Sequence, residues 1–263
     1  MIQKVIVFLS FTAIALALAV GVQAQTVRGE GKYISNTLAQ LAPFKSVEVR
    51  GDVRVDIWQR DVQRVSIHGK SNLVELADIR VEGDTLVIDF KRPIRVRGEH
   101  ALHVDIETNQ LEAVTVRAHG RVHVRDGFKV PMFIVLATDQ AYITGNWMKI
   151  DMLRIQANHK AEIDFENIQA NKLELALFDK AQVELSGFAE QAKLINYGSE
   201  DLEAADLRVN QAHVQLNGSG DGDIFATQTL QAEAFGRGKI IYHGRPVLTK
   251  GGNVKQIRPA FKD

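Results

Sequence analysis

Leu153-Arg-Ile-Gln-Ala-Asn-His-Lys-Ala-Glu-Ile-Asp-Phe165 and Leu173-Glu-Leu-Ala-Leu-Phe-Asp-Lys-Ala-Gln-Val-Glu-Leu185 are two copies of one pattern, set 20 residues apart. In each copy apolar residues recur at every second position, and a short turn segment interrupts the run. Working outward, Ala118-His119-Gly120, Thr138-Asp139-Gln140, Gly198-Ser199-Glu200 and Gly218-Ser219-Gly220 keep the same 20-residue spacing, and Gly236-Arg237-Gly238 follows after 18. Apolar runs of period two flank these turns, as in Val114/Val116 and Val122/Val124 or Phe133/Val135/Ala137 and Ala141/Ile143. A fixed period near 20 residues with period-two alternation inside each unit is the signature of a solenoid.

One such unit holds two or three short strands and cannot bury its apolar face alone, so units stack at the strand spacing of about 4.8 Å. Parallel crossovers are right-handed. The expected fold is therefore all-β, a right-handed parallel β-helix of ~20-residue coils. Leucine-rich repeats have a similar period but need a recurrent Leu-x-x-Leu-x-Leu that is absent.

The regular coils run over 111–247, and the segment 44–110 keeps the alternation but loses the period. Val47/Val49, Val53/Val55/Ile57 and Leu102/Val104/Ile106 read as strands buried on one face, and Glu82-Gly83-Asp84 as a tight turn between Ile79–Val81 and Leu86–Phe90. An antiparallel sandwich is the alternative for this irregular part. Residues 25–43 form a lead-in, loosely helical over Asn36–Leu41, which covers the end of the core. Residues 248–263 form a polar, basic tail, and either that tail or another subunit caps the apolar positions around Ile240 and Val247.

At the N-terminus, Lys4 precedes an apolar stretch from Val5 to Val22, and Val22-Gln23-Ala24 has the small residues of a cleavage site. Residues 1–24 read as a signal peptide, with an uncleaved anchor as the rival reading. The mature part is then exported, periplasmic or at the cell surface, with no further membrane span. The chain has no cysteine, which excludes a disulfide framework, a thiol nucleophile and a lipid-bearing N-terminal Cys. Charge is balanced at 32 basic and 32 acidic residues, so nothing steers the protein toward nucleic acid. The basic run Lys91–Arg97 alternates with apolar residues, as a solvated strand face does.

With the 20-residue register, His119, Asp139, His159 and Asp179 form a stacked polar column on one corner, continued by Ser199 and Ser219. Such a column suits hydroxyl-rich ligands, although turns prefer polar residues in any case. A linear stack diverges, so no metal is expected there. Gly218-Ser-Gly-Asp-Gly-Asp223 lacks the Gly-Lys-Ser/Thr of a phosphate loop and reads as a turn. Asp221 and Asp223 could pair as glycosidase carboxylates, but a solvent turn offers no surroundings to raise one pKa. No Gly-x-Ser-x-Gly elbow is present. His68, His100, His103, His123, His213 and His243 fall on outward or turn positions, and Trp58, Trp147, Tyr142, Tyr197 and Tyr242 are candidates for a carbohydrate platform.

Phe44-Lys-Ser-Val-Glu-Val-Arg-Gly-Asp-Val-Arg-Val-Asp-Ile57, the later Ile79-Arg-Val-Glu-Gly-Asp-Thr-Leu-Val-Ile88 and the closing Gly236-Arg-Gly-Lys-Ile-Ile-Tyr-His-Gly-Arg-Pro246 carry a family likeness. Over roughly 28–247 the chain resembles the head GIN domain family of autotransporter adhesins. The resemblance implies an exported bacterial β-helical domain with no assigned activity and no catalytic residues to carry over. The middle turns, with His119-Gly120, Asp139-Gln140, His159-Lys160 and Asp179-Lys180, depart from the family's Gly-Ser-Gly. The expectation is a non-catalytic binding, adhesin-like or structural module that recognises a glycan or a cell-envelope partner, with no cofactor and no metal. The alternative is a polysaccharide lyase or hydrolase on the same scaffold.

Overall fold

In a computed structural model, residues 24–97 and 102–260 are described; residues 1–23, on which most of the expected signal peptide falls, residues 98–101, which include His100, and the last three residues lie outside them. The fold is nearly all-β, with 66% of the chain in strands, stacked in parallel as a β-solenoid of about seven turns. The alternating pattern sets the faces. Val114, Val135, Ile155, Leu175, Leu194, Val214 and Ala232 lie one above the next in register, all buried. Each unit's apolar side chains are thus covered by the equivalent side chains of its neighbours, which is how a coil too small to hold a core acquires one.

On the first face, Thr85–Phe90, Ser46–Val49 and Ala113–Val116 precede the strands that end at Ala137, Ala157, Leu177, Asn196, Leu216 and Ala234. On the second face, Leu102–Thr108, Val53–Gln59 and Arg121–Val124 precede Tyr142–Asn146 and its successors. The axial order is therefore not the chain order. Thr85–Phe90 and Leu102–Thr108 lie outside Ser46–Val49 and Val53–Gln59, and the chain then steps back past the latter pair to begin the regular coils.

That excursion closes the end of the solenoid. Arg64–Lys70 pairs antiparallel with Leu102–Thr108, Tyr33–Leu38 pairs antiparallel with Arg64–Lys70, and Ala77–Glu82 pairs antiparallel with Thr85–Phe90. The helix Ser71–Leu76 crosses the open end and seats Leu73, fully buried, in the core. The irregular segment is thus neither a sandwich nor a run of further coils, but parallel coils with an antiparallel cap. The helical expectation for Asn36–Leu41 is corrected: Tyr33–Leu38 is a strand. The free edge of Arg64–Lys70 offers its backbone a complete set of hydrogen bonds, which a single marginal helical turn does not.

At the other end, Val247–Gly252 pairs with Gly222–Ala234, and Ile257–Pro259 pairs with Ile240–His243. The tail itself lays a last part-coil over Ile240, and Lys250 Nζ donates to the Ile257 carbonyl at 2.8 Å. Val247 stays 75% exposed.

One ion-pair cluster ties the cap to the coils. Glu48 accepts a hydrogen bond from Arg50 Nη2 at 2.8 Å and from Arg117 Nε at 2.9 Å. The bond from Arg50 lowers the carboxyl's pKa, burial opposes it, and the bond from Arg117 adds to the lowering, leaving it below its ordinary 4.5. A carboxyl depressed in the folded state stabilises the fold above its ordinary value and loses that contribution as pH falls through the folded one. Glu48→Gln is expected to lower stability by about 1–2 kcal/mol at neutral pH and to make no difference at pH values well below the folded pKa. Chemical denaturation across that window checks this, and a gap that stays constant with pH contradicts it.

Candidate functional site

Each coil turns from the first face to the second at one corner, and this corner has two constructions. The amides of Gln140, Lys160, Lys180, Ser199, Ser219 and Arg237 donate to the carbonyls of Ala118, Asp139, His159, Asp179, Gly198 and Gly218, which fixes the stacking order. Up to Asp179 the corner residue has positive φ, with Asp139 at 66°, His159 at 60° and Asp179 at 55°. From Gly198 onward the corner is glycine, packed against the carbonyl of the coil below.

Asp139, His159 and Asp179 are brought together as a column. His159 Nδ1 lies 3.2 Å from Asp139 Oδ1, and its Nε2 4.0 Å from Asp179 Oδ2. Asp139 Oδ2 also accepts from the Ala118 amide at 3.1 Å, and Asp179 Oδ2 from the His159 amide at 3.2 Å. These carboxylates therefore cap the backbone of the preceding corner. His119 does not stack with them. Val116 pairs with Ala137, a step of 21 residues, so Ala118 lies under Asp139 and His119 falls beside Gln140. Later steps are 20, 20, 19, 20 and 18, which moves Ser199 and Ser219 out of the column too.

Where the column ends, a groove of about 430 Å³ opens over the glycine corners, lined by Asp179, Tyr197, Ser199, Asn217, Ser219 and Arg237. Tyr197 stacks on Phe178 with ring centroids 5.0 Å apart and planes at 6°, and is 48% exposed. Phe235, two coils along the same edge, is 60% exposed. Asn217 stands between them, its Oδ1 accepting from Gln215 Nε2 at 3.0 Å while its buried Nδ2 has no hydrogen-bond partner. Tyr197 was legible in the sequence as a platform candidate. Phe235 and Asn217 were not, because they join it only through steps of 20 and 18 residues.

On the second face, Asp164, Glu184, Glu203 and Asp223 occupy equivalent outward positions. Together with Asp201 and Asp206 the last three line a second groove of about 320 Å³. The charge of Asp164, then burial, then Glu203 push the Glu184 carboxyl above its ordinary value. Asp221 Oδ1 accepts from the Lys239 amide at 2.8 Å, and Asp223 Oδ1 lies 2.8 Å from His243 Nε2, so both carboxylates of the Gly-Asp-Gly-Asp turn are engaged.

A family model described as "Putative auto-transporter adhesin, head GIN domain" matches residues 43–246. Comparison with curated proteins gives no match. Among solved structures, a "putative lipid binding protein" from Parabacteroides distasonis ATCC 8503 is 20% identical, with a TM-score of 0.78 over 90% of this chain and 98% of that one. A "putative adhesin" from Parabacteroides merdae ATCC 43184 is 17% identical, with a TM-score of 0.72 over 90% and 98%. A "putative adhesin" from Parabacteroides distasonis ATCC 8503 is 22% identical, with a TM-score of 0.67 over 89% and 97%. At these identities the likeness is one of fold.

Proposed function

The chain belongs to the head GIN domain family of auto-transporter adhesins, and on that premise we propose that it is an exported, non-catalytic binding module that takes a glycan along the corner groove at Tyr197. The observation that carries this reading is the pairing of exposed aromatic rings with hydroxyl and guanidinium side chains along one straight edge. A sugar ring presents an apolar face suited to Tyr197 or Phe235, and hydroxyls suited to Ser199, Ser219 and Arg237. The glycine corners leave the floor low enough for such a ligand to lie flat. Asp179, the last member of the polar column, closes one end of the groove; Asp139 and His159 extend that edge, and His119 stands one position aside.

The test is binding of the purified protein to a glycan array and to cell-envelope fractions. Tyr197→Ala is expected to weaken glycan binding about tenfold, the value of one aromatic stacking contact. Binding that is absent from both, or indifferent to Tyr197 and Phe235 alike, overturns the reading.

The competing reading is a polysaccharide-active enzyme in the acidic groove, favoured by the carboxyl of Glu184, raised by its neighbours Asp164 and Glu203, since two-carboxylate hydrolysis needs one such acid. A lyase fits less well, since the residues lining that groove include no Lys, Arg or His. The expected result is that polysaccharides incubated with the protein release no reducing ends. Release that disappears in Glu184→Gln would establish the hydrolase instead.

A further inference from the structure

The junction between the antiparallel cap and the parallel coils places three strands side by side on the second face: Arg64–Lys70, Leu102–Thr108 and Val53–Gln59. Alternation turns His68, His103, Asp105 and Asp56 outward. Pairing then sets His68 directly opposite His103, and Asp105 directly opposite Asp56. These residues are remote in sequence and share no motif spacing, and the two histidines read on their own as ordinary outward positions.

One donor atom each from Asp56, His103 and Asp105 lies within 4.8 Å of the others, the one such group of His and acidic side chains among the described residues. His103 Nε2 is 2.6 Å from Asp56 Oδ2 and 3.3 Å from Asp105 Oδ1. Two ligands on a tetrahedral zinc ion, with bonds of 2.0–2.1 Å, stand roughly 3.3 Å apart, which His103 and Asp105 already match and which His103 and Asp56, at 2.6 Å, reach when their side chains part to admit the ion. The remaining oxygens are held from behind: Asp56 Oδ1 by Arg125 Nη2 at 2.9 Å, and Asp105 Oδ2 by His68 Nε2 at 3.1 Å. This is the outer shell that orients carboxylate ligands in metal sites.

Two further observations point to a ligand rather than to surface ion pairing. The Asp56 side chain is only 5% exposed, unusual for a carboxylate on the outer face of a sheet, with Arg125 stacked over the Trp58 ring at 4.8 Å beside it. The Nε2 atoms of His103 and His68 are both buried, each against a carboxylate oxygen, so the cluster is shielded from solvent. His123, the neighbour of Asp56 on the next coil, has its Nδ1 committed to Thr144 Oγ1 at 2.6 Å.

We propose that Asp56, His103 and Asp105 form a divalent-metal site, filled by Zn²⁺ on the evidence of its mixed imidazole and carboxylate donors, with the fourth position open to water or to an oxygen of a bound ligand. His68 and Arg125 are positioning residues. The site is separate from the glycan groove. The corner column is a poorer candidate despite its composition, since His159, Asp139 and Asp179 are half or more exposed and its donors stack in a line.

Calorimetric titration of the chelator-treated protein with Zn²⁺ tests the proposal. One ion per chain is expected to bind saturably. His103→Asn and Asp105→Asn are each expected to lower the affinity on the order of a hundredfold, with unchanged circular dichroism. The double change Asp139→Asn, His159→Gln is expected to leave it intact. Because Asp105 is 37% exposed, its change to Asn is tolerated by the fold and keeps the test decisive should His103 variants unfold. Co²⁺ substituted at the site is expected to show the visible absorption of a four-coordinate ion. Absence of saturable binding, binding that survives both single changes, or binding lost with the corner double change would each overturn the proposal.

Discussion

Truncating Phe165 to alanine is expected to destabilise the protein by about 3–5 kcal/mol in chemical denaturation. The ring is fully buried at the second-face position that Gly145 occupies on one neighbouring coil and Leu185 on the other. It reaches into the space that Gly145 leaves, where an added Cβ would lie 3.3 Å from Phe165 Cδ1 and 3.0 Å from Met148 Sδ. A globular core relaxes part of such a cavity by letting elements slide together. Here both neighbouring coils are fixed by continuous backbone ladders, so the cavity stays nearly full size and the cost falls at the upper end of the range. Coupling between coils is nearest-neighbour, so the same change is expected to weaken cooperativity and split the transition around coil 162–177. A loss below about 1 kcal/mol, or a single sharp transition of unchanged slope, contradicts this account, and Phe165→Leu should recover more than half of the stability.

The parts of the fold that were legible in the sequence are those in which each residue's partner sits one period away. Phe133, Val135, Leu153, Ile155, Leu173 and Leu175 announce their burial through alternation alone, and all are buried. Glu82-Gly83-Asp84 announces a hairpin because both its strands are adjacent, with Gly83 at φ 65° supplying the turn. Val47 alternates just as clearly, but its partners are Leu86 on one side and Val114 on the other, 39 and 67 residues away, so the order of the first coils could not be read. The lead-in strand is a similar case, because Thr37 extends only to reach Ser66.

The candidate sites sort in the same way. The corner column was found because its members recur at 20 residues; His119 is misplaced by the step of 21, and Ser199 and Ser219 by the step of 19. A slip of one residue matters more here than in a helix, since it moves a side chain to a different column of the solenoid. The Asp56, His103 and Asp105 cluster could not be found by any period. It exists only where antiparallel cap strands meet parallel coils, so pairing across the junction creates the proximity. Tyr197 illustrates the middle case, suggestive as an aromatic in isolation, with the groove it shares with Asn217 visible only once the coils are stacked.

Gly218→Ala is expected to damage the fold as much as the loss of a buried ring, although it adds one methyl group at the surface. A Cβ at this position would stand 1.8 Å from the Gly198 carbonyl oxygen and 2.7 Å from that of Tyr197. Both are backbone atoms, and the Gly198 oxygen accepts the Ser219 amide at 3.0 Å, so neither can turn aside as a side chain would. Relief requires the coils to part at the corner, which also strains the bond from the Arg237 amide to the Gly218 carbonyl on the other side, 2.8 Å in the intact protein. The expected cost is about 3 kcal/mol or more, at or above the top of the overpacking range. Two comparisons isolate the cause. Asp139, His159 and Asp179 carry full side chains at the equivalent corner because their positive φ directs Cβ away from the neighbouring coil, so the corner as such does not demand glycine. Gly83, by contrast, has positive φ and nothing within 4 Å of an added Cβ, so Gly83→Ala should cost only the backbone strain of about 1–2 kcal/mol. If Gly218→Ala proves no worse than Gly83→Ala in parallel denaturation experiments, close stacking of the glycine corners does not hold the coils together. The low floor of the Tyr197 groove would then have another cause.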